Sequence, residues 1–139
     1  MIARFMVDSP ENNGAPRRLL VIYNPTAGGS RRQRFEAVLA GLADLGCEMD
    51  VRPTTAAGDA ALYAQGADPA AHDLVVAAGG DGTINEVVNG LISPKFGKGG
   101  AAAPPLAVLP LGTANVLAAE LGLDLNPAHI ARVIAGGPV

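Results

Sequence analysis

The stretch that most constrains the fold is the apolar run Leu74–Ala78, which ends at Gly79 and Gly80 and is followed by Asp81 and Gly82. The run offers no polar side chain to solvent, which is typical of a strand buried on both faces of a parallel sheet. Parallel strands need long crossover connections, usually helices, so the run predicts an α/β domain. The glycines and the carboxylate then lie where such sheets bind ligands.

The rest of the chain alternates in the same way, in the order β-α-β-α-β-α-β-α-α. Apolar segments bounded by Gly, Pro and Asn predict strands at 18–23, 47–53, 72–80 and 106–110. Apolar residues three and four apart predict helices at 31–45, from about 59, at 82–92, within 111–123 and from 127 to 136. The expected fold is a three-layer, Rossmann-like open parallel sheet with helices on both faces.

Two helix starts and one helix end carry specific predictions. Ser30 and Asp59 are the expected cap residues of the first two helices, because short polar side chains accept hydrogen bonds from free backbone N–H groups. Gly46 is expected to end the first helix.

Four loops follow the four predicted strands, at 24–29, 53–58, 79–83 and 110–113. Because the carboxyl ends of parallel strands meet at one edge of a sheet, these loops are expected to converge. Each of them combines glycine with a short polar side chain. Glycine lets the backbone turn sharply and lets a ligand approach its N–H groups.

The loop "GGDGT" has the composition of an anion site at the start of a helix. Gly79, Gly80 and Gly82 would open the backbone N–H groups to a phosphate, and the helix dipole would favour its charge. Thr83 could donate its hydroxyl and cap the helix. Asp81 would repel a phosphate unless Mg²⁺ lay between them, or it would accept hydrogen bonds from a ribose or from protein.

Simpler interpretations of these loops stay open at the level of sequence. Asp81 could be an N-cap, and Asn24-Pro25 could be only a turn. Thr54 and Thr113 could be ordinary loop or cap residues. The chain has neither the pattern GxxxxGK[ST] nor a GxGxxG after its first strand, which excludes a P-loop NTPase and the dinucleotide fingerprint.

Charge and reactive side chains narrow the function further. The net charge of −3 argues against a nucleic-acid partner, since such domains carry a basic excess. Arginines near the beginning of the chain could form a solvated helix face or could contact a phosphate anion; they are Arg17, Arg18, Arg31, Arg32 and Arg34. The single cysteine, Cys47, is expected to be a buried structural thiol, and the isolated His72 and His129 to be surface residues.

The ends of the chain and its membrane relation carry their own expectations. Residues 1–16 are expected to be a flexible leader rather than a signal peptide, because their apolar part is short and acidic residues follow at once. Residues 17–137 would form the folded domain. No apolar run approaches the roughly 18 residues of a membrane span. One cysteine and no signal sequence favour the cytoplasm.

Four motifs together resemble the catalytic-domain family of diacylglycerol kinases and related lipid kinases, which includes sphingosine and ceramide kinases. They are "NPTAGG" (Asn24–Gly29), "TTAAGDA" (Thr54–Ala60), "GGDGTINEVVNGL" (Gly79–Leu91) and "PLGTANVLAAELGL" (Pro110–Leu123). They occur in the family's order and spacing, from about Arg17 to Gly137. "GGDGT" alone also occurs in NAD kinases and phosphofructokinases, whereas its combination with "PLGTAN" is much more specific.

The resemblance implies a site for ATP carried with Mg²⁺. It assigns nucleotide contacts to these residues: Asn24, Pro25, Thr26, Ala27, Gly28, Thr54, Gly79, Gly80, Asp81, Gly82, Thr83, Ile84, Asn85 and Thr113. Asp81 would have a supporting catalytic role, and the metal would reach it through the nucleotide. One or more of Arg31, Arg32 and Arg34 would reach a phosphate.

Family members are about twice as long, and the resemblance implies a second, β-rich domain that this sequence does not contain. That domain would carry the general base, further Mg²⁺ ligands and the site for a diacylglycerol-like or sphingoid lipid, with peripheral membrane contact. The present residues alone would then be nearly inactive, and the surface left uncovered could support a homodimer. The alternatives are an NAD-kinase-like small-molecule kinase and a non-catalytic nucleotide-binding or assembly module.

Overall fold

The computed structural model describes residues 17–26, 29–93, 96, 102–111 and 126–136. The elements alternate along the chain: β1 (Arg18–Tyr23), α1 (Ser30–Asp44), β2 (Glu48–Pro53), α2 (Asp59–Gln65), β3 (Leu74–Gly79), α3 (Asp81–Leu91), β4 (Leu106–Pro110) and α4 (Pro127–Ile134). The predicted leader at 1–16, the helix predicted within 111–123, and Ala27, Gly28 and Thr113 lie outside the described residues.

The four strands form one parallel sheet in the order β2-β1-β3-β4. In register, Val21 of β1 lies between Val51 of β2 and Val76 of β3, and Val76 lies beside Ala107 of β4. The chain thus runs from β1 outward to β2 and then crosses back to β3. This arrangement is the predicted open α/β fold, and it brings the ends of all four strands to one edge.

The apolar run of β3 is buried on both faces because each face carries a layer of helices. All six residues of β3 are buried. Val76 and Ala78 belong to one core cluster, and Val75 and Ala77 belong to the other, as the two-residue period of a strand requires. Burying one such side chain contributes on the order of 1.5–3 kcal/mol for the larger types.

The helices divide between the two faces. One core contains α1 and α4, through Phe35, Val38, Leu42, Ile130 and Ile134; the other contains α2 and α3, through Ala60, Ala64, Ile84, Val87 and Leu91. The rings of Tyr23 and Phe35 stack with centroids 3.8 Å apart, so the first turns of α1 are held at the carboxyl end of β1.

Gly90 explains why the second and third helices lie close together. A Cβ at this position would meet the carbonyl oxygen of Ala61 at 2.4 Å and the Cβ of Ala64 at 2.6 Å. Gly90 is in the last turn of α3, and its lack of a side chain serves this contact.

Two predicted caps are wrong. α1 begins at Ser30 itself, so Gly29 occupies the cap position. α2 begins at Asp59, and Gly58 with φ +92° precedes it as the cap. A side chain inside the first turn cannot fill the role of the residue before it. α1 ends at Asp44, and Gly46 follows it closely, as predicted.

Candidate functional site

The described parts of the four loops lie at the carboxyl edge of the sheet. A cleft of about 320 Å³ opens at this edge, within the range of small-ligand sites, roughly 300–1,000 Å³. Its wall is built from the loop after β1, the loop after β2 and the first turns of α3. Of the predicted nucleotide contacts, the wall contains Asn24, Thr26, Thr54, Gly82 and Thr83.

Asn24 organises the loop after β1. Its backbone N–H donates to the carbonyl of Ala78 at 3.0 Å, which extends the pairing of β1 with β3 by one residue. Its side-chain oxygen accepts from the N–H of Thr26 at 3.0 Å and from the Thr26 hydroxyl at 2.8 Å. Its side-chain nitrogen donates to the hydroxyl oxygen of Thr83 at 3.4 Å. The loop therefore has more structure than the turn that Asn24-Pro25 alone would give.

The start of α3 differs from two of the cap predictions. Gly80 occupies the cap position, and no described side chain bonds there as a cap. Asp81 is the first residue of the helix and Thr83 the third, so neither is the N-cap. Thr83 is only 8% exposed, yet it borders the cleft. A glycine thus holds the cap position of α3, and glycine-capped helix starts of this kind are used for binding anions.

The loop after β2 is held by a carboxylate from α2. Oδ2 of Asp59 accepts from the N–H of Thr55 at 2.8 Å, from the Thr55 hydroxyl at 2.7 Å and from the N–H of Ala56 at 3.0 Å. These bonds favour the charged form, so they hold the pKa of Asp59 below its ordinary value. Asp59 therefore reaches back to the loop instead of capping α2.

Glu86 joins this loop to α3. Its Oε1 accepts from the N–H of Gly58 at 3.0 Å, and Glu86 also lines the cleft. Sequence reasoning missed it, together with four residues of the opposite wall: Thr55, Ala56, Ala57 and Ala60. One signal was available, because Glu86 follows Thr83 by three residues and so shares its helix face.

The other predicted contacts that the structure describes do not line the cleft themselves. Ile84 is 2% exposed and belongs to the core, and Gly79 is buried at the end of β3. Asp81 and Asn85 are exposed in the first turns of α3. The remaining two, Pro25 and Gly80, adjoin wall residues without lining the cleft themselves.

The arginines divide among several roles. Nη1 of Arg34 donates to the carbonyl of Pro110 at 3.2 Å, at the end of β4. Arg18 forms an ion pair with Asp73 at 3.0 Å, and Arg32 lies 3.9 Å from Glu36 on the exposed face of α1. Arg17 fits neither expectation, since it is 5% exposed and its Nε and Nη2 have no partner among the described residues.

The predictions for Cys47 and His72 have different outcomes. Burial raises the pKa of the half-buried Cys47 thiol, in keeping with a structural thiol. The prediction of a surface position is wrong for His72, whose side chain is 11% exposed. Its Nδ1 accepts from the N–H of Asp68 at 3.1 Å, and its Nε2 lies 3.4 Å from Oδ2 of Asp50. His72 thus links the loop before β3 to the edge strand β2.

Within the described ranges, no three His, Cys, Asp or Glu side chains gather as a ready-made metal centre. Mg²⁺ in nucleotide sites is bound through one or two carboxylates together with substrate phosphates. Asp81, exposed at the start of α3, fits that arrangement. The same part of the chain contains no helix long and apolar enough to cross a bilayer.

A family model described as the diacylglycerol kinase catalytic domain matches residues 18–139. The diacylglycerol kinase of Bacillus subtilis is 44% identical over 108 residues, which cover 77% of this chain and 34% of that protein. The diacylglycerol kinase of Staphylococcus epidermidis is 39% identical over 125 residues, 87% of this chain and 37% of that protein.

Solved structures give the same result. A crystal structure of a diacylglycerol kinase from Bacillus anthracis superposes with a TM-score of 0.69 at 31% identity, over 86% of this chain and 42% of the other. The matched part of the chain spans a little over a third of the length of the curated relatives.

Proposed function

Because this chain belongs to the family of diacylglycerol kinase catalytic domains, we propose that it is the ATP-binding domain of a lipid kinase. The observation that carries the proposal is the cleft at the carboxyl edge of the sheet, where loops from β1 and β2 meet the first turns of α3. Clefts at this edge are the usual ligand sites of open α/β sheets.

The charges around the cleft support one orientation of the nucleotide. The loop after β2 gives the N–H groups of Thr55 and Ala56 to Asp59, and that of Gly58 to Glu86. The Glu86 carboxylate in this wall, together with the Asp59 carboxylate that is bonded to the loop, would repel phosphates. The nucleoside therefore lies against Thr54–Ala60 and Glu86.

The phosphates take the opposite end of the cleft in this proposal. The start of α3 presents N–H groups and the positive end of the helix dipole. Gly82 leaves this end open, because outside its own helix turn no atom of the described residues lies within 4 Å of where its Cβ would be. Asn24 and Thr26 stand beside it as polar partners. Ala27, Gly28 and Thr113, which lie outside the described residues, stay predicted contacts of the nucleotide.

Asp81 is the residue of this chain that would hold the metal. Its carboxylate at the start of α3 would repel phosphate without a cation between them. When bound, Mg²⁺ neutralises charge on the phosphates of the nucleotide and so favours phosphoryl transfer. Asp81 thereby orients the nucleotide and supports the reaction without contributing the general base.

The whole reaction needs parts beyond these residues. We infer that residues 17–137 bind the nucleotide and that a second domain of the full protein supplies the lipid site and the base. That base would accept the proton of the lipid hydroxyl while the γ-phosphate is transferred. The acceptor would be a diacylglycerol-like or sphingoid lipid, met by a cytoplasmic protein at the membrane surface.

Calorimetric titration of this chain with ATP and ADP, with and without Mg²⁺, tests the proposal. We expect Mg²⁺-dependent ATP binding that weakens at least about tenfold in Asp81→Ala, as loss of a charge contact of about 1.4 kcal/mol or more requires. Asp44→Ala, at the far end of α1, is the matched control and should bind like the wild type.

Absence of binding in both this chain and the full-length protein would overturn the proposal. A kinase assay of the full-length protein with diacylglycerol, sphingosine and NAD as acceptors then separates the substrate classes. Transfer to NAD alone would replace the lipid-kinase assignment with the small-molecule alternative.

A further inference from the structure

Two adjacent threonines in the cleft wall differ in what their hydroxyls do. The hydroxyl of Thr55 donates to Asp59 at 2.7 Å, so it has no proton left for a ligand. The hydroxyl of Thr54 forms no hydrogen bond with any described residue, while its backbone N–H donates to the carbonyl of Tyr23 at 2.8 Å. Thr54 is therefore anchored through its backbone and retains a hydroxyl for the cleft.

We propose that Thr55 and Asp59 form a positioning pair that holds the loop 54–58 in its nucleotide-binding conformation and thereby places the Thr54 hydroxyl. The inference rests on the proposed function, since it concerns the nucleotide cleft. Asp59 itself does not line the cleft, and Thr55 presents its hydroxyl to Asp59 rather than to the ligand. Asp59 is thus a positioning residue.

The loop needs such a pair because little else fixes it. Residues 55–58 are exposed to solvent. Gly58 has φ +92°, outside the right-handed helical region, so the helix α2 that follows does not set its backbone conformation. Without the Asp59 carboxylate, the N–H groups of Thr55 and Ala56 would lose their side-chain acceptor. The loop would keep the bond from the Gly58 N–H to Glu86 and the longer one, at 3.2 Å, from the backbone N–H of residue 59 to the carbonyl of Ala56. A loop that is competent for only a fraction of the time binds its ligand more weakly by that same fraction.

The charge of Asp59 is part of the arrangement. A single carboxylate oxygen of Asp59 accepts hydrogen bonds from three donors. A negatively charged oxygen accepts such bonds more strongly than the oxygen of a neutral acid or of an amide. The lowered pKa of Asp59 agrees with this geometry. Asp59→Asn would place an amide among three donors, and Thr55→Val would remove one donor while leaving the backbone bonds in place.

ATP titrations of four variants test the pair. We expect Asp59→Ala and Asp59→Asn to weaken ATP binding at least about fivefold, and Thr55→Val about threefold, from the usual worth of such hydrogen bonds. Thr55→Ser keeps the hydroxyl and should restore wild-type affinity. Melting temperatures should stay within about 3 °C of the wild type, which separates positioning from loss of the fold.

Asp68→Asn is the matched control. Asp68 also accepts a backbone N–H in a loop, from Ala70 at 2.9 Å, but its loop precedes β3 at the amino end of the sheet. Its affinity for ATP should equal that of the wild type. Wild-type affinity in Asp59→Ala, or failure of Thr55→Ser to rescue, would overturn the pair.

Amide hydrogen exchange tests, without any nucleotide, whether Thr55 and Asp59 hold the loop 54–58. In Asp59→Ala, exchange at Thr55 and Ala56 should rise at least about tenfold while exchange at Ala70 stays unchanged. If the wild-type chain and the full-length protein bind no ATP, the proposed function fails, and this exchange measurement alone decides whether Asp59 holds the loop. Unchanged exchange at Thr55 and Ala56 overturns the inference.

Discussion

The side-chain nitrogen of Asn24 lies 3.4 Å from the hydroxyl oxygen of Thr83, 59 residues later in the chain. The contact ties the loop after β1 to the first turn of α3, across the carboxyl ends of two neighbouring strands. The same Asn24 also holds Thr26 through its side-chain oxygen. The side-chain amide of Asn24 thus connects Asn24, Thr26 and Thr83 in the wall of the cleft. The position of Thr83 also depends on the residue against which its side chain packs.

Gly79 is the residue against which the Thr83 side chain packs. A Cβ built there would lie 2.7 Å from both Cβ and Oγ1 of Thr83. We expect Gly79→Ala to lower the free energy of unfolding by about 1–3 kcal/mol, because overpacking displaces the neighbour. Urea unfolding followed by circular dichroism measures the change, and ATP affinity should fall with it.

Gly82→Ala is the matched comparison, since beyond its own helix turn the described part of the chain has no atom within 4 Å of the added methyl group. Gly82 lies inside α3, where alanine is favoured over glycine by about 0.5–1 kcal/mol. The variant should therefore be as stable as the wild type or more so, yet bind ATP more weakly because the methyl group enters the cleft. Equal unfolding free energies for the two variants would contradict the packing argument.

The sequence predicted most of the fold because its signals are local. Arg18–Tyr23 was predicted with its bounds unchanged, since an apolar run there meets Asn-Pro, and α1 was displaced by one residue. The convergence of Asn24, Thr54 and Thr83 followed from one rule of parallel sheets rather than from any contact between them.

The failures come from contacts that sequence neighbours do not reveal. Asp59 was predicted to cap α2. In the structure Gly58 precedes the helix with φ +92°, and the Asp59 carboxylate accepts a hydrogen bond from Thr55 in the preceding loop. His72 looked like a surface residue, but its partner Asp50 comes from an edge strand 22 residues earlier. Which side chain a loop turns toward depends on tertiary packing, and no periodicity records it.

Acid should destabilise the fold through Asp73. The guanidinium of Arg18, 3.0 Å away, holds the pKa of Asp73 below its ordinary value of 3.8. A carboxyl whose pKa is lowered by folding stabilises the protein above the unfolded value, and this contribution is lost as pH falls through the folded value. The free energy of unfolding should therefore decline below about pH 5, and Asp50 beside Arg52 acts with the same sign.

Asp73→Asn isolates this contribution. Because both side chains of the pair are more than a third exposed, the variant should lose at most about 1 kcal/mol at pH 7. As the pH is lowered from about 5 to about 2, the unfolding free energy of the variant should fall less than that of the wild type, as measured by urea unfolding at each pH. Arg18→Met should flatten the profile similarly. A steeper acid decline in either variant would refute the assignment.

Arg34 should stabilise the end of β4. Its Nη1 donates to the carbonyl of Pro110 at 3.2 Å, and the next residue, Leu111, donates its N–H to the carbonyl of Gly79 at 2.8 Å. This pair of bonds fixes the backbone immediately before the loop predicted to carry Thr113. We expect Arg34→Ala to cost about 1 kcal/mol of unfolding free energy and to weaken ATP binding several-fold.

Arg32→Ala supplies the control on the same helix. The Arg32 side chain is 70% exposed and lies 3.9 Å from Glu36, so its removal should change stability by less than about 0.5 kcal/mol and leave ATP binding unchanged. Arg34→Lys should fall between the two, because an ammonium keeps the charge but lacks the planar fork that reaches the carbonyl. If Arg32→Ala and Arg34→Ala behave alike, the bond to Pro110 contributes nothing, and only the summed positive charge of α1 matters for the nucleotide.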